Sequence, residues 1–368
     1  MNRCPACGTK YDDAAKFCTR DGSKLIAMPD APVMESAPGT PSLANLVTPA
    51  RGTAHGRGDA KAPVTPTNLV GRELDGRYMI ERKVGEGGMS FVYLATDIAT
   101  KERYAIKVLS HALSHDQNAM QRLKREASLG MRLAHANCCH IIRMGETQDG
   151  LVYVVMPFVS GEILSDRNNR LGTLPIEEVT RFVTEIAAGL FVAHELKIVH
   201  RDLKPENIMI CKSDDGSERA VVMDFGLAKE RRADAELQKL TATGIILGTP
   251  EFMSPEQLRG KPLDPRTDIY SLGLMTYEML TGKLPFTGRT QQEMMIARLR
   301  NEPVPLRQAR PDLDLPEAIE KVLAKSMQRN PDDRYTNAPE FAAAFSVAAG
   351  RKSGEGGGVG RLGRLFGR

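Results

Sequence analysis

The chain has no long apolar stretch. Its longest nearly uninterrupted run, Leu151 to Val159, spans nine residues, whereas a membrane-crossing helix needs roughly 20 apolar residues, so no transmembrane segment is expected. Charged and polar side chains surround Cys4 and Cys7, where a secretory signal would need an apolar centre, and the protein is therefore expected in the cytoplasm. Cysteine is scarce. Of six in 368 residues, three lie near the N-terminus (Cys4, Cys7, Cys18) and three are scattered further on (Cys138, Cys139, Cys211), which makes no disulfide framework. Charge of one sign is scarce too. The tail from Ala349 to Arg368 holds five Lys/Arg and one Glu, and the remainder balances at 45 basic and 45 acidic residues. Nucleic acids are gripped by a concentrated basic face, so such a partner is not expected. What is present is a 41% hydrophobic chain, long enough for a sizeable globular body with smaller appendages.

The densest chemistry lies in His200-Arg201-Asp202-Leu203-Lys204-Pro205-Glu206-Asn207, which sets an acid, a cation and an amide within eight residues. That combination suits phosphoryl transfer. A charged turn merely joining an apolar helix (Val183 to Leu196) to a strand (Ile208 to Cys211) would need no such order. Upstream, a strand-like pattern begins at Tyr78 and leads into Val84-Gly85-Glu86-Gly87-Gly88-Met89-Ser90-Phe91-Val92, followed by a β-rich run through Asp97. Glycines there let backbone N–H groups approach phosphates without interference from Cβ. The spacing, with no helix following, argues against a dinucleotide-binding fingerprint. Tyr104-Ala105-Ile106-Lys107-Val108 is read as a buried strand with one inward cation, and Glu126 falls in a helical stretch from Asn118 to Ala134. Leu151 to Met156 is a short apolar strand ahead of Pro157-Phe158-Val159, and Val221-Val222-Met223 leads into Asp224-Phe225-Gly226. Cys138 and Cys139 are adjacent, and adjacent thiols rarely ligate one ion together; they are read as small core residues.

The order of Lys107, Glu126, Asp202, Asn207 and Asp224 resembles that of the protein kinases, over roughly Tyr78 to Ala348, about three quarters of the chain. The resemblance implies an α+β, two-lobed kinase fold: a small antiparallel β lobe with one helix (about 71–157) and a large, mainly helical lobe (about 158–348). It implies ATP with magnesium or manganese as cofactors. Gly85, Glu86, Gly87, Gly88, Met89 and Ser90 would cover the phosphates, Ser90 standing where a third glycine is usual. Val92 and Ala105 would contact adenine, Met156 would stand behind the nucleotide, and Phe158 would lie in the hinge, where Pro157 keeps its carbonyl as an acceptor. Lys107 would grip the α- and β-phosphates and pair with Glu126. Asp202 would accept the acceptor hydroxyl's proton, Lys204 would neutralise the γ-phosphate, and Asn207 and Asp224 would hold magnesium. Lys204 favours Ser/Thr hydroxyls over tyrosine. Arg201, with Lys229, would meet a phosphate on the loop after Asp224, at Thr241 or Thr243, while Thr249 would line the acceptor site. Glu256 would pair with Arg334, and Asp268 opens an apolar helix from Ile269 to Leu280. Expected partners are protein substrates carrying Ser/Thr and, for trans-autophosphorylation, a second copy of the chain. Two rivals differ in class: a scaffold that binds partners without transfer, and a zinc-dependent binding module to which the kinase body is secondary. The scaffold usually lacks the Lys or one of the Asp residues, and all are here.

Before that body, residues 1–26 carry Cys4-Pro-Ala-Cys7-Gly8 and Phe17-Cys18-Thr-Arg-Asp21-Gly22, which resemble a zinc ribbon. Zinc takes four tetrahedral ligands, here Cys4, Cys7, Cys18 and Asp21, with a carboxylate in place of a fourth thiolate. Residues 27–70, with prolines at 29, 32, 38, 41, 49, 63 and 66 and no hydrophobic periodicity, are read as a flexible tether. The basic tail, 349–368, is read as a solvated terminus, with contact to an anionic surface as its alternative use.

Overall fold

A computed structural model of the chain describes residues 69–87, 90–109, 117–212, 215–225, 250–313 and 315–350, together with three short strands near the N-terminus. The chain divides into two compact units, Met1–Ala60 and Lys61–Arg368. In the first, Asn2–Arg3 pairs antiparallel with both Lys10–Tyr11 and Ile26–Ala27. Cys4, Cys7, Cys18 and Asp21 lie outside the described residues, as do residues 28–68 and the tail 351–368.

The second unit opens with a six-stranded antiparallel sheet made of β1 (Glu73–Leu74), β2 (Tyr78–Gly87), β3 (Ser90–Asp97), β4 (Arg103–Leu109), β5 (Arg143–Glu146) and β6 (Val152–Pro157), ordered β1-β2-β3-β4-β6-β5. Side chains alternate across each strand, and this alternation decides which residues face the cleft. On β4, Ile106 and Val108 pack with Tyr78, Ile80, Tyr93, Tyr153 and Val155 on one face. Ala105 and Leu109 point the other way, with Val152, Val154 and Met156, and Lys107 shares their parity. Helix α1 (Gln117–Gly130) covers this second face through Leu123 and Ala127. It stops four residues short of the expected Ala134, because the chain turns there: Leu133 N–H donates to the Gly130 carbonyl and Ala134 N–H to that of Arg132. At Gly130 a Cβ would lie 2.6 Å from Ile141 Cδ1, so glycine permits the close return of the chain just before β5.

The larger lobe is helical around a small three-stranded sheet. Strands β7 (Glu162–Ile163), β8 (Ile208–Lys212) and β9 (Glu218–Val222) pair in that order, with α2 (Leu164–Leu171) directly after β7. Helix α3 (Ile176–Glu195) buries Val179, Phe182, Val183, Ile186 and Leu190. After α4 (Pro255–Leu258) comes α5 (Arg266–Thr281), buried nearly all round. Helices α6 (Gln291–Arg300), α7 (Leu306–Ala309), α8 (Glu317–Ser326) and α9 (Ala338–Ala348) complete the lobe, with Ile319, Leu323, Phe341 and Phe345 in its core. The lobes are also tied behind the cleft. Cys139 N–H donates to the Val222 carbonyl at 2.8 Å and Val222 N–H to that of Asn137 at 2.8 Å, while Asn137 Nδ2 reaches the Ala220 carbonyl at 2.8 Å. Cys138, Cys139 and Cys211 are buried free thiols, in keeping with core residues, and burial pushes Cys139 up to about 12. No helix among the described residues is long and apolar enough to cross a membrane.

Candidate active site

The cleft is lined from both lobes. Val92, Ala105, Met156 and Phe158 from the upper side belong to one apolar cluster with Met209 of β8 below, and a flat apolar ring suits such a slot. Met209, the second residue of β8, was not foreseen from sequence. Gly85 sits opposite Val92, Glu86 opposite Phe91 and Gly87 opposite Ser90 in the β2–β3 hairpin; Gly88 and Met89 lie outside the described residues. Glu86 is exposed and meets Lys83 Nζ at 2.5 Å.

Lys107 is 7% exposed, and burying an ammonium is costly unless it is paired. Its ammonium lies 2.8 Å from Asp224 Oδ1, a partner that the sequence did not signal for it. A single ammonium held at contact distance by Asp224 is already neutralised. Glu126, half-buried on α1, lines a cavity of about 390 Å³ at the inner end of the cleft, together with Cys139, Ile141, Met156, Asp224 and Phe225.

Below, the loop that follows α3 brings its three chemical groups together. Asn207 Nδ2 donates to the Asp202 carbonyl at 2.7 Å and to Asp202 Oδ2 at 3.2 Å, and Lys204 Nζ lies 3.4 Å from the same Oδ2. Met223 N–H donates to the Asn207 carbonyl at 2.8 Å, which fixes Asp224 beside Asn207. A hard cation fits this pair chemically: the Asn207 nitrogen is committed to Asp202, leaving its amide oxygen, and Asp224 adds a partly exposed carboxylate. His200 carries the loop's other side, its Nε2 2.8 Å from the Met223 carbonyl and its ring edge-on to Phe225 at 5.1 Å.

Asp268 has a larger role than a helix opener. The helix begins two residues earlier, at Arg266, and the fully buried carboxylate accepts from His200 N–H at 2.8 Å and Arg201 N–H at 3.0 Å, with His194 Nε2 at 2.8 Å. Burial alone would raise it, but these hydrogen bonds, led by that of His194, hold it below the ordinary carboxylate range. No local pattern signals a bond that spans 68 residues. Glu256 and Arg334 form the expected pair, bidentate at 2.7 Å in both arms, with Thr267 Oγ1 adding 2.8 Å; burial opposes ionisation of Glu256 and the guanidinium overcomes it. Lys229, Thr241, Thr243 and Thr249 lie outside the described residues.

Comparison with known proteins matches this geometry. Residues 78–345 fit the family described as protein kinase domain. The chain is 36% identical over 278 residues to serine/threonine-protein kinase pkn3 of Myxococcus xanthus, spanning 76% of this chain and 51% of that protein. With serine/threonine-protein kinase PrkC of Bacillus subtilis the identity is 34% over 280 residues, spanning 76% and 42%. The chain therefore spans about half or less of the length of these relatives. Among solved structures, the PknI kinase domain of Mycobacterium tuberculosis is similar with a TM-score of 0.58 at 26% identity, covering 78% of this chain and 100% of that one. The chain belongs to the protein kinase domain family, and its domain is of the bacterial serine/threonine type.

Proposed function

We propose that the chain is a serine/threonine protein kinase that transfers the γ-phosphate of ATP to Ser/Thr hydroxyls of protein substrates, in signal transduction. The observation that carries this reading is the Asp202 carboxylate standing between Lys204 Nζ at 3.4 Å and Asn207 Nδ2 at 3.2 Å, beside the Lys107–Asp224 pair. Asp202 orients the acceptor hydroxyl and takes its proton as the new O–P bond forms and the bond from the γ-phosphorus to the departing ADP breaks, while Lys204 offsets charge on the transferred group. Adenine lies between Val92, Ala105 and Met209, and the Pro157 carbonyl accepts from it. Asn207 and Asp224 would hold magnesium or manganese, which when bound neutralises the phosphate charge. Lys107 then turns from Asp224 to the α- and β-phosphates, and Glu126 becomes its counter-ion.

The same reading extends to control. A phosphate on Thr241 or Thr243 pairs with Arg201 and Lys229, Thr249 lines the acceptor side, and the phosphate arrives from a second copy of the chain. The protein acts in the cytoplasm. For the first unit the reading is zinc bound by Cys4, Cys7, Cys18 and Asp21. Its support is the pairing of Arg3 with Lys10 and with Ile26, which brackets these four between joined strands; metal analysis of the purified chain without zinc would remove it.

Incubation with labelled ATP and magnesium, followed by phosphosite mapping, tests the proposal. Label is expected on Ser/Thr of an acceptor protein and on Thr241 or Thr243. Label on tyrosine alone contradicts the hydroxyl class, and an unlabelled loop in an active enzyme contradicts the control.

A further inference from the structure

Arg201 takes φ +66°, the left-handed region, which costs a non-glycine residue about 1 kcal/mol or more and persists only where its surroundings impose it. Two buried side chains do so here. The Arg201 N–H donates to Asp268 Oδ1 at 3.0 Å, and the Arg201 carbonyl accepts from Gln257 Nε2 at 2.6 Å. Asp268 is 0% exposed and Gln257 is 6% exposed. That carbonyl belongs to the peptide bond joining Arg201 to Asp202.

Gln257 lies on α4, in the segment that follows Thr249. Its amide is used at both ends: Oε1 accepts from Ser254 N–H at 2.9 Å, so the NH₂ must face Arg201. The segment is itself anchored. Arg298, only 1% exposed, donates to the carbonyls of Pro250 at 2.6 Å, Glu251 at 2.5 Å and Met253 at 2.9 Å. Ser271 Oγ donates to the Phe252 carbonyl at 2.8 Å, and Glu256 is locked to Arg334. The Arg201 carbonyl is thereby joined to a fixed run of chain on the acceptor side.

We infer that Gln257 is a positioning residue for Asp202, setting the distance between its carboxylate and the acceptor-side segment that begins at Pro250. The inference rests on the proposed role of Asp202 as proton acceptor. Misplacement of a reacting group by about 1 Å can cost about 100-fold in rate, and one hydrogen bond to the preceding peptide is enough to set that distance.

Gln257→Glu in the full chain separates the two ends of the amide. A carboxylate still accepts from Ser254 N–H but cannot donate to Arg201, so the capping of α4 survives and the link to the loop is lost. At pH 8 the expected result is a fall in kcat of about 10- to 100-fold, with KM for ATP within about twofold of wild type. Burial raises a carboxyl's pKa, so as pH falls toward 6 the introduced group protonates and regains a donor. The ratio of variant to wild-type kcat then rises. Gln257→Met, neutral and of similar length, lacks both functions and is expected to lose kcat by a similar factor with no recovery at low pH; it also serves if Gln257→Glu fails to fold. Turnover of either folded variant within about twofold of wild type at pH 8 overturns the inference, as does a Gln257→Glu deficit equal at every pH. Asp202→Asn is assayed alongside: if it stays active, the reading of Asp202 fails, whereas an inactive Asp202→Asn with an active Gln257→Glu removes only the inference.

Discussion

Glu278, at the residue scale, shows how burial and charge compete within this fold. It stands on α5 and accepts from Asn168 Nδ2 at 3.3 Å, and burial pushes it from 4.5 up to about 7, with Glu206 and Glu251 adding in the same direction. A carboxyl with a raised pKa stabilises the fold when neutral: that contribution is complete below the unfolded value of 4.5 and is lost as pH rises through about 7. Glu278→Gln should therefore raise Tm at pH 8 by about 2–4 °C and leave it nearly unchanged at pH 5. Thermal melts at the two pH values check this, and an equal shift at both would contradict it. Asp268 and Glu256 run the other way. Their folded pKa values are depressed, so their contribution is present above 3.8 and 4.5 and is lost as pH falls through the folded values. The residues legible in the sequence were those whose partners are close in the chain: Asp202, Lys204 and Asn207 sit within six positions. Asp268, Gln257 and Arg298 were not, because each acts on backbone that is distant in sequence, across 67, 56 and 48 residues respectively.

Elements depend on close approach as much as on propensity. Gly273 lies mid-way along α5, where a Cβ would meet Ser326 Oγ at 2.2 Å and Ser326 Cβ at 3.1 Å. The hydroxyl is fixed by donating to the Leu323 carbonyl at 2.8 Å. Gly→Ala in a free helix stabilises by about 1 kcal/mol, but here overpacking dominates, and Gly273→Ala should destabilise by about 1–3 kcal/mol. Denaturant unfolding would show a lower midpoint; a raised one would mean that α8 yields. Strand positions were legible within a residue or so: Tyr104 to Val108 was expected and Arg103–Leu109 is found, and Leu151 to Met156 became Val152–Pro157. Period-2 alternation is a local signal. The start of α3 was missed by seven residues, at Ile176 in place of Val183, because Glu177, Glu178 and Arg181 interrupt its apolar stripe. Glu126 lies on the expected helix, but how close it comes to Lys107 depends on where α1 stands against the sheet, which no spacing in the sequence sets.

For the whole molecule, the two-lobed architecture follows from the order of a strand-rich half and a helical half, and the cleft between them gathers residues from β2 to β9. The central claim is that this cleft transfers phosphate through Asp202. Asp202→Asn keeps the size of the side chain and one acceptor oxygen but removes the charge and the proton acceptor. It leaves the apolar slot of Val92, Ala105 and Met209 intact. The most direct measurement is single-turnover phosphate transfer to a Ser/Thr acceptor, with nucleotide affinity determined on the same samples. Transfer by Asp202→Asn should fall by roughly two or more orders of magnitude while ATP affinity stays within about threefold; near-normal transfer would contradict the account.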